Sequence, residues 1–173
     1  MLLFFRFVLT MLTSWFRPRI GPLDEAKLHF RAYPHDCDLN FHMNSGRYLS
    51  FMDVARMDLI GRTRLLGPLL RRGWRPVMGG CIVRFRRSVM PFERFTVRSR
   101  VVGWDEKWFY IEHIVDNKDG VFCAAGHVRT LIRDSKGNKR TPAEVLELLN
   151  VRETASPAMP EFVTKWRELE DLR

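Results

Sequence analysis

Apolar residues recur along this chain at two spacings, and the change from one to the other divides it into elements. Over residues 45–61, Tyr48, Phe51, Met52, Ala55 and Leu59 return every three or four positions, the period of one helix face, while Leu49 and Ile60 fall on the other side. A helix apolar on both sides must be enclosed. Downstream the period falls to two. Phe95, Val97, Ser99 and Val101 alternate with Thr96, Arg98 and Arg100, and Phe109, Ile111, His113 and Val115 alternate with Trp108, Tyr110, Glu112 and Ile114. Residues 122–132 continue the alternation after a turn at Asn117-Lys118-Asp119-Gly120, and residues 27–33 and 81–89 read as further strands. Strands joined by short turns run antiparallel, so the predicted fold is α+β, a curved antiparallel sheet wrapped around one long central helix.

Helical spacing returns at both ends. In residues 1–16 the polar positions Arg6, Thr10, Thr13 and Ser14, with Arg17 after them, share one stripe and leave the remaining face apolar. Arg6 interrupts the apolar run and Trp15-Phe16-Arg17 closes it, which is not the layout of a cleaved signal. Sixteen helical residues reach roughly 24 Å, short of the ~30 Å hydrocarbon core, so an amphipathic helix lying on an anionic membrane surface is expected, with docking on the protein itself as the alternative. A span would keep Arg17 and Arg19 on the cytoplasmic side, and a cytoplasmic domain held at a membrane is the expected location. A Pro/Gly linker follows at residues 17–22. Near the other end Thr141-Pro142-Ala143-Glu144 is a capping box that starts a short helix, and Phe162, Val163, Trp166 and Leu169 mark a helical tail. The expected organisation is an anchor or docking helix at 1–19, one domain at 24–150 and a helical tail at 151–173.

With 173 residues, 46% of them hydrophobic, and 13 Phe, there is enough apolar matter for one packed core. The odd number of widely spaced cysteines, Cys37, Cys81 and Cys123, argues against a disulfide framework and for a reducing compartment. Charge changes the picture more. The net charge is +9, and residues 71–100 carry nine Arg against the single Glu93. Such a surface suits an anion: the phosphates of coenzyme A, with Arg84, Arg86 and Arg87 as candidate contacts, or lipid headgroups. Nucleic acid is not expected, because no helix-turn-helix, zinc finger or aromatic RNA-binding motif accompanies the charge.

The chemistry concentrates in residues 35–44, His-Asp-Cys-Asp-Leu-Asn-Phe-His-Met-Asn, just ahead of the long helix. Asp and Asn before a helix ordinarily cap it. A calcium loop is excluded, since Phe41 stands where glycine is needed and Arg47 where a bidentate Glu is needed. A transition-metal site built from His35, Asp36, Asp38 and His42 matches no standard spacing and is not favoured. A carboxylate held beside the free amides of a helix N-terminus has the two parts needed to hydrolyse an activated acyl group: a base or nucleophile, and donors for the oxyanion. Cys37 is a poor nucleophile, because the flanking carboxylates raise its pKa, and there is no G-x-S-x-G serine elbow.

The order Asp38-x-x-x-His42-x-Asn44-x-x-x-Tyr48-Leu49, followed by Ala55-Arg56, resembles the signature of the hydroxybenzoyl-CoA thioesterase family of hotdog-fold proteins across residues 24–150. Asp-x-Asp-x-x-x-His-Met-Asn-x-x-Arg-Tyr-Leu, with Gly103-Trp104-Asp105 ahead of Phe109-Tyr110, is similar to a membrane-anchored subgroup of that family. The resemblance implies a hotdog fold, acyl-CoA thioester hydrolysis and no cofactor. It assigns Asp38 as general base or nucleophile, leaves Asp36 as a cap or turn residue, and implies a homodimer or tetramer in which both subunits line each cleft. Asn44 and His42 then orient the loop or the substrate, and Tyr48 adds a polar lining group. The family usually has glycine where this chain has Phe41. Gly79 and Gly80, read as a strand start, offer close approach to the pantetheine arm. Two other functions stay open: a silent acyl-binding or interaction protein, and a hydroxyacyl-thioester dehydratase.

Overall fold

The computed structural model describes residues 2–150 and 155–171. Its centre is the helix expected from the apolar spacing, α2 (Ser45–Arg62), which follows the N-terminal helix α1 (Leu2–Thr13). Tyr48, Phe51, Met52, Val54, Ala55, Leu59 and Ile60 are all buried along it, so both apolar sides find cover. The cover is a sheet of β1 (Ala26–Arg31), β2 (Arg75–Phe85), β3 (Arg94–Trp104), β4 (Phe109–Asn117) and β5 (Phe122–Arg133). Its order is β1-β3-β4-β5-β2 with every neighbour antiparallel, and a two-residue strand β6 (Lys139–Arg140) pairs with the end of β5. This is the α+β hotdog arrangement that the resemblance implied.

Helix and sheet approach closely. Val83 lies opposite Gly126, and a β-carbon on Gly126 would fall 2.4 Å from the Met52 sulfur, so the glycine gives the end of the Met52 side chain its place against the sheet. At the N-terminal half of α2 the rings of Phe30, Phe51 and Phe95 pack with centroids 4.9–5.5 Å apart. Over the C-terminal half sits a helix that the spacing did not reveal, α3 (Leu66–Arg72), with Leu66 and Leu69 buried. Helix α4 (Pro142–Glu147) begins at the expected capping box, where Thr141 Oγ1 accepts from Glu144 N–H. The tail helix α5 (Glu161–Asp171) packs Val163 and Trp166 on Val102 and Tyr110 of the sheet. The proposed boundary at residues 150 and 151 falls beside 151–154, which lie outside the described residues.

One strand is displaced from its expected position. Instead of residues 81–89, β2 occupies Arg75–Phe85 with a register shift between Met78 and Gly80. Pro76 and the glycine pair mask the strand pattern there, and residues 86–89 leave the sheet. Arg86 and Arg87 N–H both donate to Cys123 O, and Val89 N–H donates to the buried Tyr48 hydroxyl.

The N-terminal helix docks on the domain through its polar stripe, with Phe7 and Met11 beside that stripe packed against the core. Arg6 Nη1 is 3.3 Å from Asp36 Oδ2, Arg17 Nη1 is 3.2 Å from Asp58 Oδ1, and Thr10 and Ser14 are buried. Ser14 nests on Gly61 so tightly that a β-carbon there would lie 2.0 Å from its hydroxyl oxygen. The apolar face is left outward: Phe4, Phe5, Leu9, Leu12, Trp15 and Phe16 are all exposed. Among the described residues no helix is long and apolar enough to cross a membrane.

Candidate active site

Residues 36–44 form a tight loop clipped to the start of α2. Cys37 and Met43 bridge across it, Asp38 N–H donates to His42 O at 2.9 Å, and Phe41 N–H donates back to Asp38 O at 3.1 Å. Asp38 Oδ1 accepts from Asn40 N–H at 2.9 Å, an Asx turn that fixes the carboxylate. Its second oxygen, Oδ2, has no partner among the described residues and is free to meet a substrate or a water. Phe41 adopts a φ of 58°, in the left-handed region, with its ring exposed. The glycine expected here from the resemblance would take this conformation without strain, whereas a non-glycine residue pays about 1–2 kcal/mol for it.

The cap on α2 is Asn44, whose Oδ1 accepts from Gly46 N–H at 2.9 Å. Ser45 N–H, the first amide of the helix, has no partner among the described residues. His42 contributes its carbonyl to the turn, and its half-buried ring makes no hydrogen bond among the described residues. Asp38, His42 and Asn44 therefore share one loop. Tyr48 departs from the expectation: it is 3% exposed and its hydroxyl accepts from Val89 N–H, so it braces the core instead of lining a cleft. Burial pushes its pKa up to about 12. Burial, and then Asp36 and Asp38, also raise the Cys37 thiol, which keeps the nucleophilic thiolate scarce.

The expected phosphate and pantetheine contacts separate. Val83 faces α2, so Arg84 points from the opposite face of the sheet, where its guanidinium lies 5.8 Å from the Phe122 ring. Arg86 and Arg87 lie on the segment that leads to Val89 and hence to the start of α2. Gly79 and Gly80 stand within β2, not at its start, and the space above Gly79 is taken by Trp108 of this chain, 2.1 Å from where a β-carbon would be. Among the described residues no three His, Cys, Asp or Glu side chains converge as a metal set. A partly open apolar hollow of about 70 Å³ lies between α2, α3, α4 and the sheet, lined by Leu59, Leu69, Ile111, Ile132 and Leu146. Leu59 is roughly 22 Å along the helix axis from Asn44, so this hollow belongs to the other end of α2.

Two polar groups lie deeper than residue order alone implies: Asp36, expected as a cap or turn residue and indeed accepting from Tyr33 N–H, and His113, expected only as one position of a strand. Asp36 is 2% exposed and takes Arg6, Arg47 and His35 within 3.5 Å. The only hint was Arg6 interrupting an apolar run. His113, on β4, is fully buried with Nδ1 2.7 Å from Ser99 Oγ. Burial, and then the positive charge of Arg56, lower its pKa from 6.5 to about 3. The unfolded chain binds this proton near pH 6.5 and the folded chain resists it until about pH 3. The neutral ring's contribution is complete above pH 6.5 and falls as pH drops through that window, by up to about 1.4 kcal/mol per unit. Urea midpoints measured from pH 7 to pH 4.5 should fall more steeply for the unaltered chain than for His113→Gln; equal slopes would contradict this.

The profile of the thioesterase-like superfamily matches residues 33–166. Protein THEM6 of Xenopus laevis is 35% identical over 161 residues, covering 90% of this chain and 75% of that one. YbaW of Escherichia coli, a probable thioesterase, superposes with a TM-score of 0.65 at 17% identity over 71% of this chain and 97% of its own. An aspartate-to-asparagine mutant of 4-hydroxybenzoyl CoA thioesterase, complexed with 4-hydroxybenzoyl CoA, superposes with a TM-score of 0.63 at 17% identity, covering 72% and 98%. At these identities the solved structures speak for the fold.

Proposed function

Since the chain belongs to the thioesterase-like superfamily, we propose that it hydrolyses an acyl-CoA thioester with the Asp38 carboxylate as general base or nucleophile. The observation that carries this reading is the fixed carboxylate with one free oxygen, on a turn clipped to the N-terminus of a buried helix. In the first route Asp38 takes a proton from water, the hydroxide oxygen adds to the acyl carbon, and the C–S bond breaks to give free acid and CoA thiol. In the second Asp38 attacks the carbonyl itself, thiolate leaves, and water opens the resulting anhydride. Both need a donor for the carbonyl oxygen as it gains charge, and the unpartnered Ser45 N–H, reinforced by the helix dipole, suits it. Thiol release followed across a series of acyl-CoA chain lengths tests the activity. No release from any of them would leave the catalytically silent acyl-binding reading.

A second copy of the chain completes the acyl cleft in this proposal. Strand β2 is a sheet edge with Val77, Met78, Ile82 and Phe85 exposed, and Leu39 and Phe41 stand out from the Asp38 turn. An 11-residue apolar edge invites pairing. Light scattering behind size exclusion should give a mass of at least two chains, and a 20.5 kDa particle would remove this part. The outward face of α1, in turn, rests on an anionic bilayer surface, with the exposed Arg19 just beyond it meeting headgroups. Vesicles containing phosphatidylserine should sediment with the full chain and not with the Phe5→Glu, Leu12→Glu double variant.

A further inference from the structure

We propose that Arg6, on the N-terminal helix, is a positioning residue for hydrolysis: its contact with the buried Asp36 holds the turn that presents Asp38. The proposal rests on the assignment of Asp38 made above. A guanidinium within an apolar helix is costly unless it is paired and covered, and Arg6 is both. Its Nη1 lies 3.3 Å from Asp36 Oδ2, and its guanidinium carbon sits 5.4 Å from the Tyr33 ring and 5.0 Å from the Phe51 ring. Asp36 in turn ties both ends of the loop. Its side chain accepts from Tyr33 N–H at 3.1 Å and lies 3.5 Å from Arg47 Nε on the first turn of α2, and its carbonyl accepts from Asn44 N–H at 2.9 Å. The seven residues held between those ties, 37–43, carry Asp38 at their second position. Removing Arg6 strips a buried carboxylate of one cation, and the carboxylate must then shift toward water or toward its remaining partners. Either shift is transmitted to Asp38 through two peptide units.

The other end of α1 is fastened independently, which separates positioning from simple docking. Arg17 pairs with the fully buried Asp58, which Arg62 also approaches at 3.7 Å, and Ser14 is locked on Gly61. Asp58 lies fourteen residues beyond the α2 cap, roughly 21 Å along the axis. Arg17→Gln should therefore loosen the helix without disturbing the Asp38 turn.

The test uses the full-length chain with Arg6→Gln, Arg6→Lys and Arg17→Gln, measuring thiol release and amide hydrogen exchange together. Arg6→Gln should lower kcat about tenfold or more with KM within about twofold, as displacement of a reacting group does. It should also speed exchange of the Asp38, Phe41 and Asn44 amides about tenfold, because their bonds close the loop. Arg6→Lys should restore most of both, and Arg17→Gln should leave both near the unaltered values. Equal losses from Arg6→Gln and Arg17→Gln, or an unchanged kcat in Arg6→Gln, would overturn the proposal. If the unaltered chain releases no thiol, the hydrolase reading has failed by itself. The exchange data then decide alone, and unchanged protection of the loop in Arg6→Gln overturns the role of Arg6.

Discussion

Asp38→Asn should lower acyl-CoA turnover by about 10²–10⁴-fold, the range for loss of a positioned general base, with KM nearly unchanged. The substitution is nearly isosteric, and the amide oxygen can still accept from Asn40 N–H, so the turn itself should persist. What disappears is the negative charge and the lone pair at Oδ2 that would take a proton or attack the acyl carbon. Asp36→Asn is the informative contrast. Asp36 is the more buried of the pair and holds the cations, so its loss should act on the loop and on stability alongside turnover. Thiol-release kinetics paired with a circular dichroism spectrum decide the matter: a folded Asp38→Asn chain with undiminished kcat would remove this residue from the mechanism.

The second large effect falls on the core. Phe51→Ala should cost about 3–5 kcal/mol, the usual range for deleting a fully buried phenyl ring. Phe51 is 1% exposed, its ring meets Phe30 at 4.9 Å and Phe95 at 5.0 Å, and the Arg6 guanidinium lies over it. The loss opens a cavity where α1, α2 and the sheet converge, and the closely spaced Phe30 and Phe95 leave little freedom for collapse into it. Against a total stability of about 5–15 kcal/mol the variant keeps a small margin, and the melting temperature should drop by about 10 °C. A thermal melt followed by far-ultraviolet circular dichroism measures it. A shift of a degree or two would mean that the Phe cluster is not the keystone of this end of the molecule.

The central helix and most strands were legible because burial imposes periods that a linear reading can detect. Helix α2 was expected at 45–61 and ends at Arg62, and the strand expected at 122–132 ends at Arg133. The misses have local causes. Strand β2 was read six residues late because Pro76, Gly79 and Gly80 carry no alternation, and what seats them is the cross-strand partner and Trp108. Helix α3, seven residues with Gly67 and Pro68 in its first turn, is too short for its apolar spacing to stand out.

For the candidate site the division is sharper. The run of Asp36, Asp38, His42 and Asn44 before a helix, and the family that it resembles, can be recognised from residue order alone, since turn and cap chemistry act between near neighbours. Which of the two carboxylates is buried and which keeps a free oxygen depends on contacts thirty residues away, through Arg6. Likewise the polar stripe of the first helix was plain in its periodicity, whereas its direction was not. Asp36 and Asp58 turn that stripe inward because two buried carboxylates require cations more strongly than the apolar face requires cover. Periodicity reports that two faces differ; which one meets the protein is settled by charges brought together from distant parts of the chain.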